Sequence, residues 1–391
     1  FENKLYDGGN TPHTDAGRAA YARYGQEMIK TFGDQLAAVE IWNEYNGTWC
    51  KGPAAQDRPR FHAEMCKGAY PKLKETRADL PVLGCGAVLL PLPYMEGIFK
   101  AGGLTGMDAI VIHPYRGRPE GLDREIAELR NLVKKYNNGR EKPIWATEYG
   151  LSGKDPKLTA CYYVKMSVLM LSQNVQRMMW YLMRDYSNFK GMGIVHDSND
   201  PRGGYSPAPA LGAASAAIRL LHNASFVRRE AVRQYSRAYV FRFRKSNEDL
   251  LACWSTYPAK IRVEADATLK QVDIMGNERP VEVKNGAAEF ALDNTPFYLR
   301  GAVKAVSELS TGRTIIADMG EDYSREQGTT GWYYGYMDGT GGGEGNSADP
   351  SGPYTDDDFK QFKVEVTAWG ERWTGPQKYL GANRGNLHPG V

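Results

Sequence analysis

The feature that most limits the fold of this chain is the alternation of strand-like and helix-like segments through its first part. Residues 81–87 and 107–112 are short apolar stretches, whereas residues 122–136 place apolar side chains on one helical face. Parallel strands need a crossover connection, usually a helix, so the alternation predicts an α/β fold with a parallel sheet. The identifiable strands suffice for an open doubly wound sheet; an eight-stranded barrel would need further units before them. No glycine-rich phosphate-binding motif follows a strand, so a nucleotide-binding fold gains no support.

Two further apolar stretches each lead into a glutamate. A strand is predicted over about residues 37–43, so that Glu44 follows it directly, and residues 142–150 contain Glu148. Because the carboxyl ends of barrel strands converge on one face, we expect the two carboxyl groups to share a cleft. A single glutamate after a strand is more often a solvated strand end or a helix cap. Two of them, each with aromatic neighbours, favour a functional site.

Such a pair of carboxyl groups fits one reaction in particular. Hydrolysis of a glycosidic bond with retention uses a carboxylate nucleophile and a carboxylic acid about 5–5.5 Å from it. The acid must keep its proton while the nucleophile stays ionised, so the two groups need different surroundings. Glu44 and Glu148 are the candidates for these catalytic roles.

Four further side chains are candidates for substrate binding. The amide of Asn43 could hydrogen-bond a sugar 2-hydroxyl group. His113 and Tyr115 follow the end of one strand; we expect Tyr115 to donate to Glu148, and His113 to donate to a carboxyl or a sugar hydroxyl group. Trp180 could stack on a sugar or belong to the core, and the sequence leaves both interpretations open.

The composition argues against several classes of protein. The formal net charge is +3 and Lys and Arg form no block, so we predict no nucleic-acid partner. No apolar run reaches about 18 residues, so no membrane span is expected. The five cysteines form no C-x-x-C pair and no zinc-like spacing with histidine, so neither a metal site nor a cofactor is predicted. Buried free thiols are favoured, although a disulfide between Cys50 and Cys66 stays open.

Two further regions with different residue patterns follow the α/β region. Residues 1–222 form that region, and residues 223–303 alternate with period two between turn signals, which predicts an antiparallel β-sandwich. Residues 304–391 combine glycine-rich and alternating segments and are interpreted as a partial, jelly-roll-like β module for which carbohydrate binding is one interpretation. The chain starts with Phe1, and we expect both of its ends to be cuts in a longer protein.

Several of these motifs together resemble a known family. They are residues 41–46 (IWNEYN), residues 113–115 (HPY), residues 145–150 (WATEYG) and Trp180. In combination they are similar to clan A glycoside hydrolases, and within the clan to glycoside hydrolase family 39 and its bacterial polysaccharide-processing relatives. The likeness extends over residues 1–303. It implies a (β/α)8 TIM barrel that is incomplete at its amino-terminal side, since the first two strands and most of the third have no counterpart.

The resemblance also implies an activity. A retaining mechanism would use Glu44 as the acid/base and Glu148 as the nucleophile, with a polysaccharide or oligosaccharide as substrate and the β-sandwich as an accessory domain. Secretion is expected for such a protein, whereas the sequence predicts no oligomeric state. Two alternatives remain open: a carbohydrate-binding or scaffold protein with a catalytically silent barrel, and a clan A glycosidase of another family, such as family 5 or 30.

Overall fold

The computed structural model describes most of the chain up to residue 309 and four short strands beyond it. The described residues are 3–153, 155–186, 189–231, 237–309 and the strands 335–337, 359–361, 363–367 and 370–374. The four late strands form two antiparallel pairs. Most of the region predicted as a partial β module therefore lies outside the described residues.

The first part of the chain alternates strands and helices. The strands are β1 (Val39–Glu40), β2 (Val82–Gly84), β3 (Ala109–Ile112), β4 (Ile144–Tyr149) and β5 (Arg177–Trp180). The helices are α1 (Asp15–Phe32), α2 (Arg58–Thr76), α3 (Leu92–Lys100), α4 (Leu122–Tyr136), α5 (Pro156–Ser172) and α6 (Pro209–Leu221). All five strands are parallel and follow chain order in one sheet. The α/β prediction is confirmed as a partial α/β barrel, and the sheet does not close on itself within the described residues.

Local sequence explains where the helices lie. The hydroxyl of Thr14 accepts a hydrogen bond from the Gly17 amide at 3.1 Å and caps α1, as such residues commonly do at a helix start. In α4, Leu122, Ile126, Leu129 and Val133 are buried along one stripe. These helices cover one face of the sheet and create the main core.

The opposite face of the sheet carries a smaller apolar cluster. It contains Leu83, Val111 and Trp145, which come from β2, β3 and β4. Because successive side chains of a strand point to opposite faces, this cluster lies on the side of the sheet away from the helices. The next residues along the same face, at the carboxyl ends of the strands, are polar, and they build the site described below.

The second part of the chain is antiparallel. One sheet contains β6 (Ser225–Arg229), β7 (Ala238–Lys245), β8 (Glu248–Ser255), β10 (Leu269–Val272), β11 (Glu278–Val281) and β13 (Phe297–Gly301). The other contains β9 (Ala259–Ala265), β12 (Ala287–Leu292) and β14 (Val303–Leu309). A common core joins the sheets, with Val240 and Leu251 from the first meeting Ile261 and Phe290 from the second. The final strand continues past residue 303, and the domain boundaries themselves stay predictions.

A buried ion pair connects the two parts of the chain. Lys165 of α5 has a side chain that is 3% exposed, and its ammonium lies 2.9 Å from Oε1 of Glu120. The same oxygen accepts a hydrogen bond from the indole of Trp254 on β8 at 3.0 Å, and Lys165 also donates to the side chain of Asn294. Burying a charge is costly unless it is paired and hydrogen-bonded, so this network ties the sandwich to the α/β region.

All five cysteines are buried free thiols, so the alternative of a Cys50–Cys66 disulfide is not realised in the structure. Among the described helices, none combines the length and apolarity required to cross a bilayer.

Replacing Glu120 by Ala should lower the free energy of unfolding by about 3–5 kcal/mol, because Lys165 would remain buried without its carboxylate partner. Chemical denaturation followed by circular dichroism measures the change. The control is Glu141→Ala, which removes a half-exposed carboxylate paired with Lys134 and should cost less than about 1 kcal/mol. Equal losses in the two variants would contradict the buried network.

Candidate active site

The first glutamate stretch leaves its strand earlier than the sequence predicted. A strand was expected to reach residue 43, but β1 ends at Glu40 and the backbone turns through positive φ at Trp42 (66°) and Glu44 (46°). Left-handed conformations are uncommon for residues other than glycine and cost roughly 1–3 kcal/mol each. The Trp42 amide donates to the hydroxyl of Tyr21 at 2.9 Å, which helps to fix this turn.

Asn46 anchors the loop that carries Glu44. Its side-chain oxygen accepts a hydrogen bond from the Val88 amide at 2.8 Å, and its side-chain nitrogen donates to the Val88 carbonyl at 3.2 Å. The residue is completely buried. This pair of bonds fastens the loop after β1 to the segment after β2, which holds Glu44 at the carboxyl end of the sheet.

His113 lies at the centre of the site. Its side chain is 1% exposed, and Nδ1 lies 3.2 Å from Oε1 of Glu44 and 4.0 Å from Oε2 of Glu148. Nε2 faces the other way, 3.0 Å from the hydroxyl of Thr147 and 3.8 Å from Oε1 of Glu40. Burial lowers the pKa of His113, but the hydrogen bond to Glu44 and the charges of Glu148 and Glu40 outweigh it, so the pKa is raised overall.

The two predicted catalytic carboxyl groups lie together. One oxygen of Glu44, one oxygen of Glu148 and a ring nitrogen of His113 are all within 4.8 Å of one another. A cluster of this kind is compact enough to consider as a cation site. Because the ring nitrogen that faces both carboxyl groups is already hydrogen-bonded to Glu44, we interpret the three side chains as proton-transfer groups.

Tyr115 contacts Glu148 as the sequence predicted. Its hydroxyl donates to Oε2 of Glu148 at 2.8 Å. Burial raises the pKa of Tyr115 far above its usual range, and the charge of Glu148 raises it further. The phenol therefore stays protonated and acts as a permanent donor that orients the carboxylate.

The positions of Trp180 and Asn43 do not decide whether they bind a sugar. The ring of Trp180 packs edge-on against Tyr149 with centroids 5.2 Å apart, and its indole donates to the Met192 carbonyl at 2.7 Å. It is a partly buried neighbour of the main core. The side chain of Asn43 is half-buried and makes no hydrogen bond with the described residues. Their roles in sugar binding stay predictions.

Glu40 is a residue of this site that the sequence analysis missed. Burial raises its pKa to about 7; the charge of His113 lowers it only in part, and the charges of Glu148 and Glu44 raise it further. The available signal was a charged residue between Val39 and Ile41, because such side chains are rarely placed in buried strands unless they have a partner.

Tyr181 was also missed. It follows β5 directly, and a hydrogen bond with Tyr186, together with partial burial, raises its pKa to about 12, with smaller effects from the charges of Glu148 and Glu44. The side chain is half-buried.

Comparison with known proteins bears on this site. Residues 87–204 match the family model described as glycosyl hydrolase catalytic core. The predicted resemblance to glycosyl hydrolases is confirmed. The segment that matches glycosyl hydrolases contains His113, Tyr115, Glu148 and Trp180, whereas Glu44 precedes it. No curated protein matches the sequence significantly.

Solved structures agree with the fold. A family 39 glycoside hydrolase from the gut symbiont Bacteroides cellulosilyticus WH2 is 22% identical with a TM-score of 0.63, and the match covers 74% of this chain and 63% of that one. A GH30 endoxylanase from Clostridium papyrosolvens C71 is 14% identical with a TM-score of 0.51, covering 77% and 75%. The chain therefore shares the fold of clan A glycoside hydrolases and spans less than two thirds of the Bacteroides protein.

Replacing Asn46 by Ala should lower the free energy of unfolding by about 1–3 kcal/mol, because it removes two hydrogen bonds between the buried Asn46 side chain and the partly buried backbone of Val88. Hydrogen exchange should accelerate in the loop that carries Glu44, and denaturation gives the stability change. The neighbouring Asn43→Ala variant is the control, since it removes no hydrogen bond and should change stability by less than about 0.5 kcal/mol. Unchanged exchange in the Asn46 variant would contradict the anchoring role.

Proposed function

We propose that this protein is a retaining glycoside hydrolase that cleaves O-glycosidic bonds in a polysaccharide or oligosaccharide. The observation that carries the proposal is the position of Glu44 and Glu148. They come from different strands of one parallel sheet, and their nearest oxygens lie within 4.8 Å of each other. The site opens at the carboxyl ends of the strands, where α/β barrel enzymes place their active sites.

The separation of the carboxyl groups favours retention over inversion. Inverting glycosidases leave about 6.5–9.5 Å between the two groups to hold a water molecule, whereas retaining ones bring them to about 5–5.5 Å. One oxygen of Glu44 and one of Glu148 lie within 4.8 Å of each other, which supports the shorter spacing. A sugar between them would be reached by both carboxyl groups without an intervening water.

The reaction would proceed by double displacement. Oxygen of Glu148 attacks the anomeric carbon while Glu44 transfers its proton to the leaving oxygen, which breaks the glycosidic bond and forms a glycosyl ester on Glu148. Glu44, now a carboxylate, takes a proton from water as that water attacks the same carbon and releases Glu148. Tyr115 orients Glu148, and His113 contacts Glu44.

The surrounding side chains would bind the sugar. Asn43 has an uncommitted amide beside the catalytic glutamate, and the half-buried rings of Trp180 and Tyr181 offer apolar faces. Sugar rings stack on such faces while the hydroxyl groups find donors at the rim. Because a polysaccharide substrate would be met outside the cell, the proposal includes secretion.

Substitution of the two glutamates tests the assignment. Glu148→Gln should abolish hydrolysis of every substrate. Glu44→Gln should lower kcat/KM by about 10²–10⁴-fold for glycosides with poor leaving groups and much less for activated aryl glycosides, because only the former need an acid. The measurement is hydrolysis of a panel of aryl glycosides and polysaccharides, with the exposed Glu141→Gln as the control that should keep wild-type rates.

Two outcomes would refute the proposal. Normal turnover in both variants would remove these glutamates from the mechanism. Glycan binding seen by calorimetry in a wild-type protein that hydrolyses no member of the panel would instead assign it to carbohydrate binding with a silent barrel.

A further inference from the structure

Glu40 lies in an unusual environment for a carboxyl group. Its Oε1 is buried and has no hydrogen-bond partner among the described residues. The backbone leaves room for it, since a side chain at Gly86 would place its first carbon 2.6 Å from that oxygen. A buried polar atom without a partner is costly, so an unpaired carboxyl oxygen at a site calls for an explanation.

The imidazole of His113 faces this oxygen. Nε2 of His113 lies 3.8 Å from Oε1 of Glu40, while Nδ1 lies 3.2 Å from Oε1 of Glu44. The ring therefore stands between the two glutamates. A neutral imidazole has one donor and one acceptor nitrogen, whereas a charged one donates from both. When Nε2–H donates to Thr147, a neutral ring therefore presents a lone pair to Glu44, whereas a charged ring presents a proton.

We propose that Glu40 is a positioning residue that sets the charge of His113 and, through it, the location of the proton on Glu44. The inference rests on the proposed function, because it concerns the acid form of Glu44. With Glu40 neutral, His113 is neutral, its Nε2–H donates to Thr147 and its Nδ1 accepts the O–H of Glu44. Glu44 is then the acid that the first step of the reaction needs.

Ionisation of Glu40 rearranges this chain. One proton leaves Glu40 for solvent, and a second moves from Oε1 of Glu44 to Nδ1 of His113. The result is an imidazolium between two carboxylates, with the total proton count lower by one. Glu44 is then held as a base and can no longer protonate a leaving group.

The neighbouring charges favour an effect that passes through His113. Besides His113, the titratable groups near Glu40 are Tyr21 from α1, Glu44 from the loop after β1 and Glu148 from β4, and Tyr115 and Tyr181 lie near the catalytic pair. Of the charges that act on Glu40, that of His113 has the largest effect and that of Glu44 the smallest. A burial-raised pKa near 7 places the change of charge close to neutral pH.

The pH dependence of kcat/KM tests the proposal on a glycoside with a poor leaving group. Wild-type activity should fall as the pH rises through about 7, so that about 10% of the plateau value remains at pH 8. Glu40→Gln cannot ionise and should keep most of its plateau at pH 8, roughly a tenfold difference after each profile is scaled to its value at pH 6. Glu40→Asp keeps an ionisable group and should restore the fall.

Histidine NMR tests the same linkage without catalysis. The protein has six histidines, and the His113 signal is the one missing from a His113→Asn variant. Nitrogen shifts report the pKa and tautomer of the ring, and the pKa of His113 should be lower in Glu40→Gln than in the wild type because a neighbouring negative charge is removed. The Glu141→Gln variant, with a distant exposed carboxylate, should leave it unchanged.

Each result decides the inference. The inference is supported if Glu40→Gln lowers the pKa of His113 and removes the fall in activity above pH 7. An unchanged pKa of His113 in a folded Glu40→Gln variant overturns it, as does a uniform loss of activity at every pH, which would indicate a structural role only. If Glu40→Gln does not fold, the Glu40→Asp variant decides, since absence of the fall in activity above pH 7 there also overturns the proposal. A wild-type protein that hydrolyses nothing refutes the proposed function, and the NMR result then shows separately whether Glu40 controls His113.

Discussion

The burial of one imidazole among three carboxyl groups is the interaction on which the site depends. His113 comes from the end of β3, and Glu40, Glu44 and Glu148 reach it from β1, the following loop and β4. Three carboxyl groups in one cleft would repel one another if all were ionised, and burial penalises each charge further. The imidazole between them can relieve that repulsion. Parallel strands with their carboxyl ends at one edge are what make the convergence geometrically simple.

Contacts outside the site hold these side chains in place. The turn after β1 uses strained conformations at Trp42 and Glu44, which persist only if the surroundings hold them. Asn46 supplies that hold by closing two buried hydrogen bonds to Val88. Further away, the hydrogen bonds of Glu120 with Trp254 and of Lys165 with Asn294 fasten the β-sandwich to the α/β region. The candidate catalytic groups therefore lie at strand ends and on an anchored loop, as precise positioning of reacting groups requires.

The sequence predicted the parts of this architecture that follow from periodicity. The stripe of apolar residues in α4 is a local signal, and this helix has the expected bounds. The meeting of Glu44 with Glu148 followed from parallel strand ends, and the donor role of Tyr115 from its place beside one of them.

Other parts could not be read from the sequence. The positive φ angles at Trp42 and Glu44 could not be predicted, because neither residue is a glycine. Tertiary contacts impose these angles against the local preference. Glu40 looked like an interruption of an apolar strand, since its partner His113 is distant in sequence and only the fold brings them together. The third region lies largely outside the described residues, and its described part consists of two antiparallel strand pairs.

The stereochemistry of the first-formed product tests the central claim most directly. If Glu44 and Glu148 act as a close pair on the two sides of one sugar, proton NMR of a reaction in progress should show the product appearing first with the anomeric configuration of the substrate, and mutarotation only later. Initial appearance of the opposite anomer would mean that a water molecule attacks directly, which the short distance between the two carboxyl groups does not accommodate, and it would contradict the account.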